Sequence, residues 1–180
     1  ELIIDTVVPD SPTVVFPSSP SNTGTVTVTN VSESWQYSIN AGDWVTGVET
    51  SFVLADGTYA NGVLRVRSTD AAGNISGTTR NESVLIIDGV APVIPTVGFP
   101  SSPAKDGTIT VTTSSDSVSW EYSINSGVTW NTGDGTTFVL THATYANGVI
   151  QVRSADAAGN ISGITSNASE LIIDTEVPDS

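Results

Sequence analysis

Short runs in which apolar and polar residues alternate fill most of the chain. In residues 64–67, for example, Leu and Val alternate with Arg, which is the period of a strand with one face in the core and one in water. Such runs are rich in Val, Ile and Thr, and clusters of Gly, Asn, Ser and Pro separate them. Helical periodicity is nearly absent. The pattern therefore predicts an all-β protein.

Seven short strands are predicted in each half of the chain. In the first half they are Thr13–Phe16, Thr25–Asn30, Ser34–Ile39, Trp44–Thr46, Ser51–Leu54, Val63–Thr69 and Val84–Ile87. In the second half they are Thr96–Phe99, Thr108–Thr113, Ser119–Ile124, Thr129–Asn131, Thr137–Leu140, Val149–Ala155 and Glu170–Ile173. This number and spacing are typical of an immunoglobulin-like sandwich. We therefore predict two tandem antiparallel immunoglobulin-like β-sandwiches in an extended array.

The third predicted strand of each half carries a tryptophan, Trp35 or Trp120. A tyrosine follows two residues later, Tyr37 or Tyr122, and so lies on the same face of its strand. Burial between the two sheets is the favoured role for these rings, because large aromatic side chains usually anchor a sandwich core. An exposed platform on which sugars stack is the alternative.

An internal repeat sets the domain boundaries. The sequence Leu-Ile-Ile-Asp ends at Asp5, Asp88 and Asp174, at intervals of 83 and 86 residues, and a proline follows each aspartate four residues later. We divide the chain into residues 1–5, the remnant of a preceding repeat and its linker; residues 6–88, the first immunoglobulin-like repeat; residues 89–174, the second; and residues 175–180, the start of a following repeat.

The charge balance narrows the possible partners. Nineteen acidic residues against five Lys and Arg give a formal net charge of −14, which argues against nucleic acid or an anionic membrane as a partner. There is no cysteine and no apolar run long enough to insert into a membrane. Clustered acids attract hard divalent cations. We expect a monomer whose partners are calcium ions and the neighbouring repeats of the same chain.

Each linker aspartate is predicted to meet an acidic loop. In an up-and-down order of seven strands, the loop after the sixth strand returns to the end of the sandwich at which the chain enters. That loop reads Asp-Ala-Ala-Gly-Asn in both repeats. The residues expected at the first joint are Asp5, Asp70 and Asn74. Those expected at the second joint are Asp88, Asp156 and Asn160. Asp174 is expected to form only half a site, since the loop of the following repeat lies beyond the chain.

Calcium fits such a joint better than other cations. Two carboxylates held close together repel each other unless a cation lies between them. Calcium accepts six to eight oxygen ligands in a loose geometry, whereas zinc prefers His and Cys. Gly73 and Gly159 would allow the tight turn that this loop requires. In the simpler alternative, Asp and Asn only stabilise turns, and the linker aspartate caps backbone amides.

The motifs that carry these residues resemble a known family. Trp-x-Tyr-Ser-Ile-Asn, Tyr-Ala-Asn-Gly, Val-Arg-Ser-x-Asp-Ala-Ala-Gly-Asn-Ile-Ser and Ile-Ile-Asp-x-x-x-Pro occur in both repeats. Together they resemble the bacterial immunoglobulin-like repeats of giant RTX-type surface adhesins, which Gram-negative bacteria export by type I secretion. The resemblance implies an extracellular extender segment of a cell-adhesion and biofilm protein. It also implies calcium at the same six joint residues. Gly89 departs from the Thr6 and Thr175 of the other linkers, which would loosen that joint unless an ion fixes it.

Three other functions were weighed. Residues 123–130 resemble the Asp-box hairpin of sialidases, but such hairpins stabilise turns, and no carboxylate pair of a glycosidase is evident, so we predict no enzymatic activity. Alternating threonines in residues 25–29 and 108–112 favour strand formation more than ice binding. The main alternative is a glycan-binding adhesive module that uses exposed Trp44 and Trp130. His142 is interpreted as a surface loop residue, at the position where the first repeat has Asp56.

Overall fold

The computed structural model describes residues 4–177 of the chain. They divide between two compact units, residues 1–89 and residues 90–180. The predicted flanking segments, residues 1–5 and 175–180, are only partly described, because residues 1–3 and 178–180 lie outside the described residues. Every element of regular secondary structure in the described residues is a β-strand. None of these residues forms a helix long and apolar enough to cross a membrane.

The described residues of the first unit form nine strands. They are β1 (Thr13–Val15), β2 (Thr25–Thr29), β3 (Ser34–Ile39), β4 (Val45–Thr46), β5 (Ser51–Val53), β6 (Gly57–Tyr59), β7 (Leu64–Thr69), β8 (Thr79–Arg80) and β9 (Leu85–Ile87). They pair antiparallel in three sheets of order β1-β2-β5, β4-β3-β7-β8 and β6-β9. Buried side chains alternate along β2 and β7, because one face of each strand lies against the core.

The second unit repeats this arrangement. Its strands are β10 (Thr96–Gly98), β11 (Thr108–Thr112), β12 (Ser117–Ser123), β13 (Asn131–Thr132), β14 (Thr137–Val139), β15 (Ala143–Tyr145), β16 (Gln151–Asp156), β17 (Thr165–Ser166) and β18 (Leu171–Ile173). The sheets have the order β10-β11-β14, β13-β12-β16-β17 and β15-β18, again antiparallel.

The all-β class and the antiparallel sandwich are confirmed, but two details of the prediction were wrong. Each unit has nine strands among its described residues, whereas seven were predicted. The strands that the prediction missed are β6, β8, β15 and β17. The strand order is not up-and-down either: β2 pairs with β5, and β3 pairs with β7. The extra strands are two or three residues long, too short to show an alternating pattern.

The predicted core role of the paired aromatic residues is also confirmed. Trp35 is 3% exposed, and Tyr37 stacks on Phe52 with ring centroids 4.2 Å apart. Trp120 and Tyr122 repeat this packing in the second unit. Each indole N–H donates to a backbone carbonyl at 3.0 Å, so the polar atom of the ring is satisfied inside the core. These rings hold the sheets together and leave no platform for a sugar.

Backbone hydrogen bonds join the early part of each unit to its last strand. The Ser21 N–H donates to the Ile86 carbonyl at 3.0 Å, and the Asp88 N–H donates to the Ser21 carbonyl at 2.9 Å. Ala104 makes the equivalent two bonds in the second unit, at 2.9 and 2.8 Å. The pairing is parallel in both cases. It fixes the backbone at the start of the linker, directly after the last strand.

Candidate metal centre at the linkers

The loop after β7 folds into a tight turn closed by its own backbone. The Asp70 N–H donates to the Asn74 carbonyl at 3.1 Å, and the Gly73 N–H donates to the Asp70 carbonyl at 3.2 Å. Gly73 has a φ of 88°, a conformation that residues with a side chain rarely adopt. The turn therefore needs glycine at this position, as the sequence predicted.

Hydrogen bonds surround the Asp70 carboxylate. Its Oδ2 accepts from Asn74 Nδ2 at 2.9 Å, and its Oδ1 accepts from the backbone N–H groups of Ala72 and Asn74 at 3.0 and 2.8 Å. The Asn74 side-chain bond is the main cause that holds the pKa of Asp70 below its ordinary value; burial acts in the opposite direction, and the backbone bonds lower the pKa further. The carboxylate therefore remains ionised well into the acid range.

The linker meets this loop within the first unit. Asn74 Nδ2 also donates to the backbone carbonyl of Asp5 at 3.1 Å, so the structure brings Asp5, Asp70 and Asn74 together. The carboxylate of Asp5 is not part of that contact, because its Oδ1 accepts from the Val7 N–H at 2.9 Å. Asp5 thus offers the loop a backbone oxygen, while its side chain stabilises a turn as in the simpler alternative.

The loop after β16 has the same geometry. Asp156 is 5% exposed, and its two carboxylate oxygens accept from the backbone N–H and the Nδ2 of Asn160 at 2.9 and 2.8 Å. Burial raises the pKa of Asp156, but the hydrogen bonds from Asn160 and from the Ala158 and Gly159 amides outweigh it, so the pKa is lowered overall. Gly159 has a φ of 89°. The turn is therefore a property of the repeated sequence.

The remaining predicted ligand, Asp88, is half-buried and is the second-to-last residue of the first unit. Asp156 and Asn160 belong to the second unit. The gathering of these three residues at one joint stays a prediction.

The donor set at the first joint suits a hard cation. Among residues 4–177 no group of three or more His, Asp or Glu side chains could hold a metal, so a site here has to use amide and backbone oxygens as well. The Asp5 carbonyl and the Asp70 carboxylate both contact the Asn74 amide. If that amide turned over, its Oδ1 would face two other oxygens, an arrangement that a cation between them would stabilise. Calcium, which prefers such oxygens, fits these residues.

A second loop contacts the linker at the far end of each unit. Asp56 Oδ1 accepts from the Gly89 N–H at 3.1 Å. In the second unit His142 Nδ1 accepts from the Thr175 N–H at 3.3 Å and lies 3.4 Å from Asp174 Oδ1. His142 therefore contacts the linker, which the interpretation as a plain surface residue missed. Its alignment with Asp56 was the signal available in the sequence.

The structure also explains why a glycine stands at position 89. A Cβ at this position would lie 3.2 Å from Asp56 Oδ1, closer than most such contacts. The Asp56 carboxylate thus sits against the linker backbone, and the hydrogen bond from Gly89 restrains a position that glycine was expected to loosen.

Trp44 and Trp130 are less available than the glycan-binding alternative assumed. Both are half-buried. The guanidinium carbon of Arg67 lies 3.9 Å from the centroid of the Trp44 ring, and Arg153 lies at the same distance from Trp130. An arginine therefore covers the ring face on which a sugar would stack. The alternating pattern was the signal available in the sequence, because Arg67 on β7 and Arg153 on β16 lie between buried positions and so project from the outward face of their sheets.

Comparison with known proteins gives only a distant likeness. No family model matches the chain, and no curated protein is significantly similar to it. The structure is similar to fibronectin(III)-like modules of CbhA from Clostridium thermocellum, with 14% identity, a TM-score of 0.49 and coverage of 95% of this chain and 93% of that one. It is also similar to the FN1–FN3 domains of chicken CNTN1, with 13% identity, a TM-score of 0.33 and coverage of 92% and 66%. A structure of a 1.5-MDa bacterial ice-binding adhesin shares 17% identity, with a TM-score of 0.33 and coverage of 83% and 57%. These values are too low to assign a family or a function.

Proposed function

We propose that this chain is a calcium-stiffened spacer segment of a bacterial cell-surface adhesin, in which tandem sandwiches hold a distal ligand-binding region away from the cell. The motif resemblance supports the adhesin context, and the repeated architecture suits a spacer. The observation that carries the calcium part is the double contact of Asn74, whose amide joins the Asp5 carbonyl of the linker to the Asp70 carboxylate of the loop.

The chain's own residues explain how the joint could change stiffness. Without a cation, one amide group links the linker to the loop, and a single neutral contact of this kind contributes only about 1 kcal/mol. The Asp70 carboxylate is held ionised by its hydrogen bonds and remains available to a cation at neutral pH. When bound, calcium would supply a divalent charge shared by several oxygens of the linker and the loop. Extracellular calcium modules bind at about 10⁻⁴–10⁻³ M, which would leave the joints loose in a low-calcium cytosol and stiff after secretion.

Small-angle scattering with calcium and with a chelator tests the proposal. Calcium should increase the maximum dimension and narrow the distribution of shapes, because a fixed linker keeps the units extended. Calcium should also raise the melting temperature, since binding to the native state stabilises it by RT ln(1 + [L]/Kd). An unchanged maximum dimension together with an unchanged melting temperature would rule the calcium joint out.

Variants separate the joints from general charge effects. Asp70→Ala should remove the calcium response of the first linker, and Asp88→Ala or Asp156→Ala should loosen the middle joint alone. Asp116→Ala is the matched control, because Asp116 is an exposed acid outside the predicted joints. If the control lowered the calcium response as much as the joint variants did, calcium would be acting as a diffuse counter-ion, against the proposal.

A further inference from the structure

Three of the five basic residues of the chain lie on one face of the first unit. Arg65 and Arg67 are two residues apart on β7, and Arg80 on β8 is the direct cross-strand partner of Arg65. Residues that are two apart on a strand, or directly opposite on its neighbour, project from the same side of a sheet. We call this outward side of the β4-β3-β7-β8 sheet the arginine face.

Within residues 4–177 no carboxylate forms an ion pair with the arginine face, although Glu82 lines the same cavity as Arg80. The Arg67 guanidinium donates through Nε and Nη2 to Gln36 Oε1, a neutral amide, at 3.0 and 2.7 Å. Arg65 Nη2 donates to the Ser38 hydroxyl at 3.2 Å. Across residues 4–177 the ion pair that an arginine forms is the one between Arg153 on β16 and Glu121 on β12. Three positive charges thus lie close together with no counter-charge in contact, in a chain of formal net charge −14.

The corresponding face of the second unit is neutral. Glu121 stands at the position of Gln36 and accepts a hydrogen bond from Arg153 Nη2 at 2.8 Å. Gln151 and Ser166, which are cross-strand partners, replace the Arg65 and Arg80 pair. Like charges directly opposite each other destabilise a sheet. The second unit shows that this fold does not require them, so a role in folding does not explain the pair.

We propose that the arginine face binds an anionic polysaccharide, one that carries carboxylate or sulfate groups. Guanidinium groups bind both anions through paired hydrogen bonds. Trp44 and Gln36 hold Arg67 in place on this face, which lowers the entropy that binding would cost. The proposal differs from sugar stacking on Trp44, because the arginine and not the indole contacts the ligand.

The other side chains on this face favour a polysaccharide over a protein partner. Thr46 is the cross-strand partner of Gln36, and Ser34 is the partner of Thr69, so hydroxyl groups flank the arginines. Hydroxyl and amide groups suit the hydroxyls of a sugar chain. At the centre of protein interfaces, arginines act together with tryptophan or tyrosine anchors that bury fully in a desolvated pocket. Trp44 is the large ring beside the arginines, and Arg67 already covers it.

The net charge of the chain is compatible with this ligand at physiological salt. Charges separated by more than about 8 Å are largely screened at 0.15 M ionic strength, whereas contacts at hydrogen-bond distance are screened much less. The acidic surface elsewhere therefore repels the polymer weakly, and the local contacts decide the binding.

The test exchanges the side chains of the arginine face with those at the equivalent positions of the second unit. The triple variant Gln36→Glu, Arg65→Gln and Arg80→Ser gives the first unit the residues of the second. The reverse variant Glu121→Gln, Gln151→Arg and Ser166→Arg gives the second unit those of the first. Binding of polygalacturonate, dextran sulfate and neutral dextran is measured by calorimetry in 0.15 M salt with a chelator, so that calcium cannot bridge carboxylates. Circular dichroism confirms that each variant folds.

The native chain should bind at least one of the two charged polymers and not dextran. The triple variant should bind about tenfold more weakly, and the reverse variant should bind more tightly than the native chain. A carboxylate or a sulfate preference identifies the anion. Equal binding by the native chain and the triple variant would overturn the proposal, as would binding of dextran. So would self-association in sedimentation velocity that the triple variant abolishes without any polymer binding, because the face would then contact a second copy.

Discussion

The two units share their interior and differ on their surfaces. Trp35 and Trp120 occupy the same core position and make the same hydrogen bond to a backbone carbonyl. Asn81 and Asn167 are both buried, and each makes the same three hydrogen bonds that hold the segment around β8 or β17. The loop after β7 recurs after β16, with the same two hydrogen bonds from its asparagine to its aspartate. These common features are what one module requires to fold and to offer its loop to a linker.

The two units differ at surface positions where the fold does not require a particular side chain. The arginine face carries three positive charges in the first unit, and its counterpart pairs Arg153 with Glu121. At the exit, Asp56 contacts Gly89 where the second unit pairs His142 with its linker. Since a shared scaffold supports both versions, the differences mark positions that are free to acquire a function. Each unit can therefore serve as the control for the other.

The largest expected loss of stability is the same in both units and comes from replacing the glycine that packs against each core tryptophan. A Cβ at Gly47 would collide with the ring of Trp35, and one at Gly133 would collide with Trp120. Gly47→Ala and Gly133→Ala should each lower the free energy of unfolding of its unit by about 3 kcal/mol, because overpacking forces the ring out of place. Urea unfolding followed by tryptophan fluorescence measures both. A cost in one unit only would break the equivalence of the two cores.

A smaller effect should separate the hairpins before β4 and β13. Asn125 Oδ1 accepts from the Thr129 N–H at 2.9 Å, and its Nδ2 donates to the Thr129 hydroxyl at 2.8 Å. Asn40 instead has a positive φ of 53°, which glycine adopts without strain. Asn125→Gly should therefore cost about 1–2 kcal/mol, whereas Asn40→Gly should stay within about 0.5 kcal/mol. Thermal melts of both variants test the difference, and equal costs would show that the two hairpins are held in the same way.

The smallest expected effect is on stability at acid pH, and it should be the same for the loops that carry Asp70 and Asp156. The folded-state pKa values of Asp70 and Asp156 lie below the ordinary aspartate value of 3.8. The unfolded chain therefore binds protons first as the pH falls, so these groups stabilise the native state above that value and lose this contribution as the pH drops through the lowered pKa values. Asp70→Asn and Asp156→Asn should each weaken the loss of stability between neutral pH and about pH 2.

Urea midpoints across this range, with Asp116→Asn as the control, measure the acid effect. A variant that weakened the loss no more than the control would show that its loop carboxylate is not held by these hydrogen bonds.

Strand positions could be predicted because alternation is a local property of the sequence. The central strands β3 and β7 lie where the pattern placed them, since each is six residues long and so carries three core-facing positions. The short strands β8 and β17 could not be predicted, because two residues carry no period. They pair only because β7 and β16 offer a free edge, which is a property of the folded sheet.

The contact of the three residues at the first joint was predictable, but the atoms that make it were not. Asp5, Asp70 and Asn74 were grouped by reasoning from an up-and-down order, and they do meet although that order was wrong. The grouping survived because the antiparallel pairing still returns the chain after β7 to the end at which the linker enters. The sequence did not indicate that Asp5 would offer its carbonyl, because the competition between its carboxylate and the Val7 amide is decided locally. The arginine face depended on the unpredicted pairing of Arg65 with Arg80.

The bonds that Ser21 and Ala104 make to the last strand of each unit determine how the chain responds to tension. The two segments run parallel, so a pull on both linkers draws the early segment back and the last strand forward along one axis. The hydrogen bonds lie across that axis and are loaded together in shear, instead of opening one after another as in a zipper. Because the Asp88 N–H is itself one of these bonds, force that arrives through the linker after the last strand reaches these bonds first. A unit without a single cysteine thus resists extension through geometry alone.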